Sequence, residues 1–146
     1  MKILSWITGL LICPVLLHAQ ILTPVKWSYS AKKLSGGEYA LHMVAHIDKG
    51  WHIYALNAGN GPIPTSFQFK QSGTQTIGKM AEQGKLIAHF DKSFHSTLRY
   101  FENSVDFVQV VRVVNSVRAV KGSLEYEVCN DTNCLPPKDI DFTIPL

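Results

Sequence analysis

The amino-acid sequence predicts an all-β protein, an antiparallel β-sandwich, on three observations. Apolar residues recur with a period of two. Clusters of Gly, Pro, Asn and Asp punctuate the chain at short intervals. No window carries a sustained apolar stripe of helical period bounded by caps. Seven or eight short strands with turn signals between them fit a sandwich, with a partly open barrel as the alternative closure.

The first segment stands outside this pattern. MKILSWITGLLICPVLLHAQ has one lysine, then an apolar run, then His18-Ala19-Gln20. That is the layout of a secretory signal with cleavage after Ala19, so residues 1–19 are expected to be removed. The apolar run is short for a membrane span; a retained anchor or a buried N-terminal helix is the competing reading. The remainder, residues 20–146, reads as one domain outside the cytoplasm, long enough for a real core. Losing Lys2 with the leader leaves 13 of the 14 Lys and Arg against 11 Asp and Glu, a net charge of +2. So small and scattered a charge excludes an electrostatic case for nucleic acid.

The strands follow in order. Residues 25–30 open the domain. Glu38 to Ile47 alternates so that Tyr39, Leu41, Met43, Ala45 and Ile47 share one face, between Gly36-Gly37 and Asp48-Lys49-Gly50 turns. Residues 51–54 form a short strand, and the stretch from Trp51 to Asn60, with Pro62 and Pro64 after it, reads largely as irregular loop. Further strands are expected at 65–70, 86–90, 105–113, 123–128 and 140–144. Leu124, Tyr126 and Val128 share a face in one of these, and Ile140, Phe142 and Ile144 in another. Trp27, Phe67, Phe69, Phe107 and Phe142 are expected in the core.

Cys13 leaves with the leader, so Cys129 and Cys134 form the only intramolecular pair in a compartment that permits disulfides. Asn130-Asp131-Thr132-Asn133 between them are turn formers, and a turn brings its ends within reach of a disulfide. Pro136-Pro137 stiffen the exit. Closing so short a loop contributes only about 2 kcal/mol through unfolded-chain entropy, a weak brace. A disulfide at a loop tip is also open to a partner thiolate. Both a structural staple and an exchanging pair remain open on these grounds. No Lys or Arg adjoins Cys134; Lys138 is the nearest in sequence. An ordinary thiol is expected there, controlled by access and docking.

Several stretches in order resemble the N-terminal periplasmic (alpha) domain of the DsbD thiol:disulfide interchange family. They are Lys49-Gly50-Trp51-His52-Ile53-Tyr54, Phe90-Asp91-Lys92-Ser93-Phe94 and Leu98-Arg99-Tyr100-Phe101. The specific part is Tyr126-Glu127-Val128-Cys129 with Cys134-Leu135-Pro136-Pro137. The resemblance spans nearly the whole mature chain. It implies an immunoglobulin-like sandwich with an active-site hairpin, and a domain that carries electrons from a membrane-embedded reductant to periplasmic thioredoxin-fold oxidoreductases. By that likeness Cys134 attacks a partner's disulfide and Cys129 resolves the intermediate. Phe94, within Asp91 to His95, matches a capping aromatic, and Trp51 and Tyr54 match aromatics beside the cysteines. No cofactor or metal is implied, and a monomer is expected.

The sequence departs from that family in three respects. The cysteines bracket one residue fewer than in the best-known enterobacterial form. The acidic residues near the cap are reduced to Asp91. The sequence ends at Leu146, without the membrane and thioredoxin-like domains of the full-length family protein, so a stand-alone carrier supplied by a separate membrane electron donor is expected. The competing functional reading is a secreted immunoglobulin-like binding module whose disulfide only rigidifies a loop.

Five histidines follow the leader. His42 and His46 are four apart, about 13 Å on a strand and too far to share an ion. His52 and His95 are either tuners beside the cysteines or solvated loop residues, and a Cys/His copper site is a minor alternative. Gly59-Asn60-Gly61-Pro62 reads only as a turn. No Ser/His/Asp signature supports hydrolase chemistry.

Overall fold

The computed structural model describes residues 22–70, 73–114 and 116–146. The expected leader and Cys13 lie outside the described residues. Among the described residues nine strands form: β1 Val25–Lys33, β2 Glu38–Ile47, β3 His52–Tyr54, β4 Ser66–Phe69, β5 Thr74–Asp91, β6 Ser96–Val113, β7 Ala119–Tyr126, β8 Val128–Cys129 and β9 Lys138–Pro145. They make two separate antiparallel sheets, one of six strands and one of three, in which β7 lies between β4 and β9. This is the sandwich rather than the barrel. Among the described residues no helix is long and apolar enough to cross a membrane.

The long strand β6 organises the larger sheet. One of its edges pairs with β2 from Ser104 to Arg112 and with β3 from Tyr100 to Glu102. Its other edge pairs with β5 along almost the whole length. Alternation along β2 and β6 turns Leu41, Met43, Ala45, Val105, Phe107 and Val111 inward, all fully buried. The smaller sheet answers with Val120, Leu124, Tyr126, Phe142 and Ile144. Aromatic rings lock the two layers together: Trp27 lies 6.0 Å from Phe67 and 5.5 Å from Tyr126, and Phe67 lies 5.1 Å from Phe107.

The hairpin of β5 and β6 is much longer than its apolar pattern predicts. Residues 86–90 and 105–113 are expected strands, yet each of the two strands runs for 18 residues. Strand β5 is an edge strand, mostly solvated, with register shifts between Ile77 and Ala81 and between Gly84 and Leu86. Backbone pairing rather than burial holds it, so alternation does not reveal it. In β6, Asn103 takes a positive φ of 63°. Leu98 belongs to a cluster on the outer face, whereas Phe101 and Val105, on either side of Asn103, both belong to the main core. Residues 123–128 also divide: β7 ends at Tyr126, and the chain crosses to the larger sheet at Glu127 to form β8.

Candidate redox site

The site lies on the face of the larger sheet that points away from the sandwich core. Ile53 pairs with Phe101 and Val128, and these three belong to the main core. Alternation therefore places their neighbours on the outer face. There His52 stands opposite Glu102 and Cys129, and Tyr54 opposite Tyr100. Tyr54, Ala58, Leu98 and Cys129 form a second small apolar cluster with Tyr100 packed against it.

Cys129 and Cys134 are joined by a disulfide across the end of a tight hairpin, with Cα atoms 4.0 Å apart. Asn130 N–H donates to the Asn133 carbonyl, and Leu135 N–H to the Val128 carbonyl, both at 2.9 Å. The cysteines thus occupy the non-hydrogen-bonded position between these bonds, where opposed backbones approach most closely. Asn130 shapes the tip: its Oδ1 accepts from the N–H groups of Thr132 and Asn133 and from the Thr132 hydroxyl, each at 2.9 Å. The two sulfurs differ in access. Cys129 is 1% exposed, while Cys134 is solvent-exposed.

Beside the disulfide opens a cleft of about 510 Å³. Its walls come from His52 and Tyr54 of β3, His89 and Asp91 of β5, Leu98 and Tyr100 of β6, and the hairpin tip. Phe94 borders the same cleft from the β5–β6 turn and is 49% exposed. That turn is shaped by Asp91, whose Oδ1 accepts from Ser93 N–H at 2.7 Å and from Phe94 N–H at 3.1 Å. His95 completes it at a φ of 49°.

The loop between β3 and β4 is irregular, as expected, but it is pinned throughout. Leu56 N–H donates to Glu82 Oε1 at 2.8 Å, Asn60 N–H to Ser96 Oγ at 2.9 Å, and Thr65 Oγ1 to the Tyr54 carbonyl at 2.5 Å. Gly61 lies under the Phe94 ring, and Gly59 lies against the Thr97 carbonyl, so closely that neither position has room for a Cβ. The stretch 59–62, read from sequence only as a turn, is the platform on which Phe94 rests.

Of the expected site residues, Cys129, Cys134, Tyr54, Asp91 and Phe94 meet around this cleft. Trp51 does not. It precedes Ile53 by two residues, so it shares the inward face and packs on the main core. His52 takes the place beside the cysteines, with His89 near it, whereas His95 is not among the cleft-lining residues. His42 bonds Asp106 at 2.8 Å and His46 bonds Ser28 at 3.2 Å, each as a strand-surface residue.

One neighbour of the pair was missed. A carboxylate oxygen of Glu127 and the sulfurs of Cys129 and Cys134 all lie within 4.8 Å of one another. Glu127 Oε2 accepts from Ile63 N–H at 3.0 Å, which ties the carboxylate to the platform loop. The signal was available: Glu127 and Cys129 are two apart in an extended segment and so share a face. These three side chains could offer a metal mixed oxygen and sulfur ligands, with no histidine among them. Soft-metal binding needs thiolates, which the disulfide does not provide.

The electrostatics follow from burial and these carboxylates. Burial holds the His52 imidazole below its ordinary range, against an opposing pull from Glu102 and Asp131. Burial, then Glu127, Asp91 and Tyr100, raise the Tyr54 phenol. Burial, then Glu102 and Asp131, raise that of Tyr100. Among the described residues, no Lys or Arg lines the cleft.

A β-sandwich of immunoglobulin type that presents a cysteine pair on a hairpin tip, one sulfur exposed and the other buried, fits a thiol–disulfide interchange domain. The chain belongs to the family of the N-terminal domain of the thiol:disulfide interchange protein DsbD, whose pattern matches residues 18–145. Two solved structures share the fold. The N-terminal periplasmic domain of ScsB from Proteus mirabilis is 19% identical at a TM-score of 0.60. That match covers 84% of this chain and 45% of the ScsB chain, so this chain spans less than half of its length. The Neisseria meningitidis DsbD N-terminal domain in the reduced form is 16% identical at a TM-score of 0.53, covering 73% of this chain and 77% of that one. No curated protein matches the sequence.

Proposed function

We propose that this domain is a periplasmic electron carrier that cycles Cys129 and Cys134 between dithiol and disulfide. It takes electrons from a membrane-embedded reductant and passes them to thioredoxin-fold oxidoreductases. The carrying observation is the unequal access of the two sulfurs: Cys134 is exposed at the tip and Cys129 is 1% exposed behind it. In the reduced domain the Cys134 thiolate attacks a partner's disulfide and forms a mixed disulfide. Cys129 then attacks Cys134, closes the intramolecular bond and releases the partner as a dithiol. Phe94 caps the pair from its seat on Gly61, shielding Cys134 from stray oxidants and giving way to a docking partner.

The family membership supports exchange chemistry, and the open cleft supports access for a partner. The test is trapping. A reduced Cys129→Ala domain, mixed with an oxidised thioredoxin-fold protein, is expected to accumulate a mixed disulfide through Cys134 that reductant dissolves. The reduction potential of the pair is expected above about −300 mV, in the exchangeable range. No adduct, together with a potential well below that value, would identify a purely structural bridge.

A further inference from the structure

The resolving step sets a problem that the exchange reading leaves open. Cys129 must lose a proton before its sulfur can attack, yet it is 1% exposed and packed among Tyr54, Ala58 and Leu98. Cys134 can release its proton to water; Cys129 needs an acceptor inside the protein. Among the described residues, one carboxylate clusters with both sulfurs, that of Glu127, all three groups lying within 4.8 Å of one another. The Ile63 N–H bond at 3.0 Å holds it there through Oε2. A carboxylate offers about four acceptor positions, so that bond leaves room for a proton.

The other titratable groups facing the pair are less suited. His52 and Tyr54 reach it from β3, His89 and Asp91 from β5, Tyr100 from β6 and Asp131 from the tip, with Glu102 beyond His52. Tyr54 and Tyr100 are phenols that remain protonated at neutral pH. Burial disfavours a charged His52. Asp91, Asp131, Glu102 and His89 do not join Glu127 in the group of side-chain atoms that lie within 4.8 Å of both sulfurs.

We infer that Glu127 is the proton acceptor for Cys129 in the resolving step, an inference that rests on the exchange reading above. The Cys129 S–H proton passes to the Glu127 carboxylate. The resulting thiolate attacks Cys134 Sγ of the mixed disulfide, the Cys129–Cys134 bond forms, and the bond from Cys134 to the partner sulfur breaks. The partner sulfur leaves with the electron pair, and Glu127 returns its proton to water or to that leaving thiolate. The domain has lost two electrons and the partner disulfide has gained them.

The test uses the reduced full domain and dithiobis(nitrobenzoate), whose two coloured thiol products report the two steps separately. Attack by Cys134 releases the first thiol and attack by Cys129 the second. Glu127→Gln keeps an oxygen for Ile63 N–H and removes the proton acceptor. Its second phase is expected to slow by about 100-fold at neutral pH, the low end for loss of a general base. That phase should also recover in proportion to hydroxide as pH rises, while the first phase is retained or accelerated. In the wild-type domain the second phase should depend on pH less steeply than the first, and Glu127→Asp should restore part of it. A second phase in Glu127→Gln with the wild-type rate and pH profile overturns the assignment. A wild-type domain with no first phase overturns the exchange reading, and this inference with it.

Discussion

The Phe94 ring lies directly on the backbone of Gly61, so close that a methyl group at position 61 would overlap it. Gly61 also takes a φ of 125°, which side chains rarely adopt. One glycine therefore sets the seat of the aromatic that borders the disulfide cleft.

Gly61→Ala is accordingly expected to displace the ring and to lower stability by about 1–3 kcal/mol through backbone strain. Phe94→Ala should leave stability nearly unchanged, since the ring is 49% exposed. Both variants should speed alkylation of reduced Cys134 by iodoacetamide. Wild-type rates in both would show that Phe94 is no cap.

Asp91 acts on the same ring through the turn. Asp91→Ala removes the acceptor of the Ser93 and Phe94 N–H groups and is expected to cost about 1 kcal/mol, as loss of a local side-chain cap does. It should speed alkylation of Cys134 in the manner of Phe94→Ala. Asp91→Asn keeps the Oδ1 acceptor and should restore the slow rate. If Asn behaves like Ala, the charge rather than the turn geometry matters.

Reduction of the pair should leave the domain folded. The bridge closes a short loop that is also held by Asn130 and by the Leu135 bond to Val128. Its removal is expected to lower stability by about 2 kcal/mol on the loop-entropy model. Urea unfolding with and without reductant measures this. A domain that loses its cooperative transition when reduced would make the bridge a structural brace.

His52 gives the site a pH dependence of definite sign. Its folded-state pKa lies below the ordinary 6.5 because burial disfavours the imidazolium. As pH falls through 6.5 the unfolded chain takes up a proton that the folded domain resists, so stability declines until the lower folded value is reached. Above 6.5 the residue contributes no slope. Thermal unfolding from pH 8 to 5 should therefore show a shallower acid decline for His52→Gln than for wild type. Parallel curves would exclude His52 as a source of that slope.

Much of this architecture was legible in the sequence because it is local. Period-two alternation marked Leu41, Met43, Ala45 and Ile47 as an inward face, and all four are buried. The same alternation, carried from Cys129 back to Glu127, was enough to expose the carboxylate beside the sulfurs. It also separated Trp51 from Tyr54, which the family likeness had grouped together. Strand β5 was largely hidden because an edge strand held by backbone pairing needs no apolar face. The Phe94 platform was hidden because Gly59 and Gly61 read as an ordinary turn until the β5–β6 turn is seen to lie on them.

The sequence by itself determined the all-β class, the facing of most core side chains, and the turn that brings Cys129 and Cys134 together. These depend on neighbours within a few residues, where backbone geometry dictates direction. Only the tertiary structure decided that Cys129 is covered while Cys134 is open, and that Glu127 is held at the sulfurs by Ile63. Cover and access are made by segments that are distant in the chain, and no local period encodes which loop closes over which face.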